Sequence, residues 1–208
     1  MLLGRSVNGR DIYADELRDR VATRAVLVVG CIHGNETAGI AVAQALARGA
    51  AIGGVDLWVI PNLNPDGAAA GTRQNAHGVD LNRNFPWRWQ PLGPRGTQQY
   101  AGPGPLSEPE SGIAHRLIAR VRPAVTIWFH QPLGLVDESG GSVAVERHFA
   151  RVARLPLRKL VRYPGSAAGW QNARLPRTTA FVVELPPGPA VPAARRRYIR
   201  AIRAVATG

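Results

Sequence analysis

One cysteine, Cys31, is all that the 208-residue chain has, and Lys159 is its one lysine. A lone thiol rules out an internal disulfide framework and fits a reducing compartment, where Cys31 reads as a small buried strand residue. Apolar runs are short as well. None approaches the roughly 20 residues of a membrane-spanning helix, and the opening MLLGRSVNGRD lacks the apolar stretch of a signal peptide. The expectation is therefore a soluble, cytoplasmic protein that needs no membrane. Acidic residues are scarce too: 14 against 26 basic ones leave a net charge of +12. Because all but one of those basic residues are arginine, codon usage in a GC-rich genome accounts for much of the excess, and most of it reads as solvated surface. No basic stripe interleaved with aromatics and no nucleic-acid-reading motif is present, so no nucleic acid is expected as a partner.

What the chain does have is 45% hydrophobic residues, enough for a core without staples, and its length fits one domain over residues 1–208. RAVLVVGCI (24–32) reads as a buried strand, and TAGIAVAQALARG (37–49) as a helix with Thr37 as cap and Gly49 as stop. VDLWVI (55–60) is a second strand closed by the turn-rich PNLNPDG, and residues 61–107, crowded with Gly, Pro and Asn, read as long functional loops. Further on, 108–123 is a helix with Ile113, Leu117, Ile118 and Val121 on one face, and AVTIWFH (124–130) a third strand. Helix 142–155, strand TTAFVVEL (178–185) and helix 193–206, with Tyr198, Ile202 and Val205 on one face, complete the pattern. Strands alternating with helices imply an α/β/α sandwich with a mixed, largely parallel sheet.

In open α/β sheets the ligand site lies beyond the carboxyl ends of the strands. His33 follows the first strand, His130 ends the third and Glu184 stands near the end of the fourth. Two imidazoles and a carboxylate make a catalytic zinc shell with a fourth position open to water, and His33, Glu36 and His130 would supply it. Taken alone, HxxE also fits a capped helix start, and His130 a satisfied histidine at a strand end. In GTRQNAHGVDLNRNFP (71–86), Asn82 and Arg83 suit a substrate carboxylate, since a guanidinium matches its two oxygens, yet a turn with a solvated arginine fits equally. His77, His115 and His148 have no second ligand at useful spacing, while Trp87 and Trp89 could border a cleft.

Five blocks in order, HGNE, NPDG, GVDLNRNFP, a strand-ending histidine and FVVELPPG, make the chain resemble the zinc metallocarboxypeptidase family over nearly its whole length. The resemblance implies one zinc ion held by His33, Glu36 and His130, and Glu184 as the base that activates the zinc-bound water. It also implies that Asn82 and Arg83 hold the substrate's terminal carboxylate, that Arg73 polarises the scissile carbonyl, and that Asp80 orients the first histidine ligand. In RYPGSAAGWQ, Tyr163 stands only two residues before Gly165, so it is open between a substrate-capping tyrosine and a loop tyrosine, while Ser166, Ala167 and Ala168 line the pocket.

The short chain, the FHQPLGLVDESG segment and the spacing of Gly165, Ser166 and Trp170 are similar to the compact bacterial murein peptide amidases within that family. That branch implies cleavage of the γ-D-glutamyl bond to meso-diaminopimelate, an anionic peptide that a positive cleft would attract. Asp137 either meets an ammonium of diaminopimelate or caps the helix that follows Ser142. A deacylase of the succinylglutamate desuccinylase or aspartoacylase type is the alternative, because that group also carries HGNE and a DLNR block.

Overall fold

The computed structural model describes residues 1–208. An antiparallel pair, β1 (Leu2–Arg5) and β2 (Asp11–Tyr13), opens the chain, and β3 (Asp15–Arg18) follows. The sequence pattern did not mark these three, because each is four residues or fewer and largely exposed. Next come β4 (Arg24–Val29), α1 (Ala38–Ala47), β5 (Val55–Ile60) and α2 (Pro65–Ala70). The second half contains α3 (Pro109–Val121), β6 (Val125–His130), β7 (Leu135–Asp137) and α4 (Val143–Ala153). It closes with β8 (Leu157–Arg158), α5 (Ala167–Arg174), β9 (Thr179–Glu184) and α6 (Pro192–Ala206).

Seven strands form one sheet in the order β3-β5-β4-β6-β9-β7-β8. The central four, β5, β4, β6 and β9, are parallel, whereas β3 and β7 join antiparallel on either side, so the expected mixed, largely parallel sheet is what the chain builds. Central strands of such a sheet are covered on both faces and become continuous apolar runs. Accordingly Val26 and Val28 of β4 face one core with α1, α4 and α6, while Leu27 and Val29 face another with α3 and α5. Phe129 and Trp128 of β6 divide the same way.

Helical faces follow the spacing read from the sequence, with Tyr198, Ile202 and Val205 of α6 and Phe149 of α4 buried against the sheet. Two local readings change. NPDG is the start of a short helix rather than a turn only, since the Asn64 side chain accepts a hydrogen bond from Gly67 N (2.9 Å) and Pro65 occupies its first turn. Thr37 makes no side-chain cap on α1; Gln131 Oε1, from the end of β6, accepts from Ala38 N (2.9 Å) instead. A cap supplied from a distant strand has no local signature.

The residues between β5 and α3 are irregular but anchored. Asn84 is fully buried, donating to Ala101 O and Gly104 O and accepting from Glu108 N and Ser111 Oγ. Close backbone approach explains two glycines beside the site. Gly34 has no positive φ, so turning is not its task; a Cβ there would lie 2.0 Å from the Gly67 carbonyl carbon in α2. Gly165, at φ +73°, packs its backbone on Arg83, and its carbonyl and N–H join Phe85 N and Trp87 O. Replacement Gly34→Ala is expected to destabilise the fold by at least about 1–3 kcal/mol through overpacking, read as a lower urea midpoint at unchanged slope.

Candidate metal centre and substrate cavity

Three parallel neighbours, β4, β6 and β9, bring their carboxyl ends together at the edge of one cavity of about 400 Å³. His33 lies four residues beyond β4, while His130 and Glu184 end β6 and β9 and are paired in register. The cavity is lined by His33, Glu36 and His130 on this side and by Asn82, Arg83 and Tyr163 from the loops. Arg73, Ser166 and Glu184 line it too, so nine of the ten residues singled out from the sequence border one space; Asp80 lies buried behind His33.

His33, Glu36 and His130 are all buried, and one ligand atom from each lies within 4.8 Å of the others. His33 Nδ1 is 3.0 Å from Glu36 Oε1, His130 Nδ1 is 2.9 Å from Glu36 Oε2, and the two Nδ1 atoms are 3.0 Å apart. On the far side of the His33 ring, Nε2 meets Asp80 Oδ1 at 3.0 Å. An Nε2 proton donated to Asp80 leaves the Nδ1 lone pair aimed at the cluster, the tautomer a metal ligand needs. Two lone-pair nitrogens and a carboxylate packed this closely repel unless a cation stands among them, so the donor set fits a zinc ion.

Burial opposes charge on Asp80, but His33, Arg73 and Arg83 outweigh it and hold the carboxyl well below the usual range. Glu36 is held low as well, burial being overcome by the His130 and His33 imidazoles that contact its two oxygens. Both acids thus stay anionic. Arg73 spans them, with Nη1 3.1 Å from Glu36 Oε1 and Nε 3.0 Å from Asp80 Oδ2. The guanidinium read as the carbonyl-polarising group therefore also braces Glu36 and the acid behind His33. Glu184 differs, because burial pushes its carboxyl up, and its one contact is a long 3.5 Å approach from Leu133 N.

Asn82 and Arg83 sit in a single 3-10 turn, Leu81–Arg83, with Asp80 as its cap: Oδ1 accepts from Asn82 N at 2.9 Å. Asn82 Oδ1 accepts from Ala167 N (2.9 Å), which leaves its amide NH2 free toward the cavity. Arg83 is buried with its guanidinium 4.2 Å from the Tyr163 ring centre, and its Nε has no partner. Tyr163 therefore stacks on Arg83 at the cavity edge. Ser166 caps α5 by position and also lines the cavity.

Gln131 and Asn64 escaped the sequence reading. Gln131 N donates to Glu36 Oε2 (3.1 Å), and its side chain reaches Ala38 N, Pro186 O and Gly188 O. Asn64 Nδ2 donates to Ile32 O (3.1 Å) just before His33. Both sit in blocks noticed for other reasons, HQP and NPDG, and their amides were the available signal.

The profile of the zinc carboxypeptidase family matches residues 1–132, which include every metal-cluster residue and the Asn82–Arg83 turn. The chain belongs to the zinc carboxypeptidase family. Similar proteins include murein peptide amidase A of Vibrio campbellii, 34% identical over 197 residues, covering 88% of this chain and 78% of that one. Murein peptide amidase A of Escherichia coli K12 is 34% identical over 157 residues, and that match spans 69% of this chain and 64% of its own length. Among solved structures, murein-tripeptide amidase from Escherichia coli O157 superposes with a TM-score of 0.81 at 28% identity, over 98% of this chain and 89% of that one. Zinc is the family's metal, and the donor set of the cluster fits that ion.

Asp80→Asn keeps the shape and removes the charge behind His33. Its zinc affinity is expected to fall about 10- to 100-fold, measured by competition with a chromophoric chelator; unchanged affinity would take that role from Asp80.

Proposed function

We propose that the protein is a zinc-dependent peptide amidase that hydrolyses the bond before a terminal residue bearing a free carboxylate, specifically the γ-D-glutamyl–meso-diaminopimelate bond of murein peptides. The observation that carries the reaction class is a single cavity holding both the His33–Glu36–His130 cluster with Glu184 and the Arg83 guanidinium with the free Asn82 amide. Similarity to murein peptide amidases at 34% identity supports the substrate. In this reading residues 1–208 act as one catalytic unit. A cytoplasmic location suits it, and no helix is long and apolar enough to cross a membrane.

Each side chain then has a task. His33, Glu36 and His130 hold the zinc ion, which supplies a Lewis acid for the carbonyl and lowers the pKa of water. Arg83, joined by Asn82 and covered by Tyr163, receives the terminal carboxylate and so sets the distance to the scissile bond. Arg73 places positive charge beside the reacting carbonyl oxygen. Glu184 accepts the proton of the attacking water and passes it to the departing nitrogen, so no covalent enzyme intermediate forms. Ser166 forms part of the wall around the departing residue.

Two other substrate classes compete. Ordinary α-linked peptides would make the protein a general carboxypeptidase, and N-acyl amino acids would make it a deacylase of the aspartoacylase or succinylglutamate desuccinylase type. Zinc-loaded protein incubated with L-Ala-γ-D-Glu-meso-diaminopimelate should release free diaminopimelate, seen by mass spectrometry. Release from α-linked peptides alone, or from N-acetyl-aspartate or N-succinyl-glutamate alone, would overturn the amidase reading. With the tripeptide, Glu184→Gln should lower kcat by about 10²- to 10⁴-fold and keep its zinc, whereas His130→Ala should lose both. Because the base must be ionised, activity should fall on acidification as Glu184 takes up its proton, and burial of Glu184 moves that fall toward higher pH.

A further inference from the structure

Part of the cavity wall comes from the end of β7 and from the segment that leads into α5. Asp137, the last residue of β7, is buried there and lines the cavity. Its carboxylate is fixed from two sides, Oδ1 accepting from Leu160 N (2.8 Å) and Oδ2 from Ser139 Oγ (2.7 Å). The Ser139 hydroxyl accepts from Val182 N (3.1 Å), which commits its proton to Asp137. Neither donor is charged, and no Arg, Lys or His forms an ion pair with Asp137.

Behind it stands a second acid. Glu146 of α4 is fully buried, accepts from Ser139 N (3.1 Å) through one oxygen, and has no partner for the other. Burial, then the charge of Asp137, pushes its carboxyl up to about 7. Asp137 therefore stands in the cavity wall with neutral hydrogen-bond donors and no ion-pair partner, an arrangement that is costly for a buried charge unless something else completes it. Asp137 does not cap α4, whose cap position is Ser142 with no side-chain hydrogen bond. Arg162, also on the cavity wall, is exposed, forms no ion pair, and lays its guanidinium against Gly140, three residues beyond Asp137.

We propose that Asp137 and Arg162 select the departing residue by its side chain, Asp137 receiving an ammonium and Arg162 a carboxylate carried on the same distal centre. The inference rests on the amidase reading and deepens it: with one carboxylate held by Arg83, the remaining pair of opposite charges matches a side chain that itself ends as an amino acid. Diaminopimelate is such a residue. Lysine offers the ammonium alone, and norleucine offers neither charge.

Three tripeptides of the form L-Ala-γ-D-Glu-X, with X meso-diaminopimelate, L-lysine or L-norleucine, test this on the zinc-loaded wild-type protein without any variant. The expected order of kcat/KM is diaminopimelate above lysine above norleucine, with a gap of about 30-fold or more between the charged and uncharged ends. Asp137→Asn should abolish the preference for lysine over norleucine, mainly through KM, read as the ratio of the two kcat/KM values within the variant. A merely structural role would depress all three alike. Arg162→Ala, at an exposed position, should cost about two- to fivefold with diaminopimelate and nothing with lysine. Cleavage of all three peptides at equal kcat/KM overturns this inference and leaves the amidase reading standing. Cleavage of none overturns both.

Discussion

Asp80 is the group on which the site depends. Its carboxylate is fully buried, a state that is stable only with strong partners, and it has three: His33 Nε2, Asn82 N and the Arg73 guanidinium. Each partner leads to a different part of the cavity wall. Through His33 the acid fixes the tautomer at the metal cluster; through Asn82 it starts the turn that points Arg83 into the cavity; through Arg73 it links to Glu36. The geometry between the His33–Glu36–His130 cluster and the Arg83 turn is thus set by one buried charge rather than by two independent loops.

That loop is held to the scaffold from the other side as well. Gly165 closes on Arg83, and Ala167 N is bound by Asn82, so the start of α5 is joined to the Asp80 turn. Gln131 does the same for the sheet edge, joining Glu36, the start of α1 and the chain just past Glu184. Strand ends bring the groups close, but these side-chain amides remove the remaining freedom.

How much of this could be read from residues alone depends on range. His33, Glu36, His130 and Glu184 were legible because polar groups at the ends of apolar runs stand out, and the parallel order of β4, β6 and β9 puts them together. The central strands and long helices followed from periodicity. Short exposed strands β1 to β3, and helix α5 within a stretch read as pocket wall, carry little apolar pattern, so they were not. The tasks of Gln131, Asn64 and Gly34 depend on neighbours 32 to 95 residues away, or on backbone from another element, and no local rule reports such contacts. Glu146 shows the limit in the other direction, since its place on an arginine-rich helix conceals a fully buried acid.

The basic composition suggested a cleft that attracts an anion by bulk charge, and the cavity shows a different principle. Arg73, Arg83 and Arg162 line it, and so do Glu36, Asp137 and Glu184, three charges of each sign. The +12 of the chain is therefore displayed elsewhere, much of it on the outer faces of α4 and α6, where Arg147, Arg151, Arg195, Arg196 and Arg200 form no ion pair. Outside the cavity such charge is screened within about 8–10 Å at physiological salt, so it influences encounter more than choice. In the proposed reading, selection falls instead to short-range placement: Arg83 under Tyr163 for one carboxylate, and a carboxylate with only neutral donors, Asp137, within the same 400 Å³. A substrate that is simply anionic gains nothing at Asp137, whereas one with alternating charges meets a partner at each step.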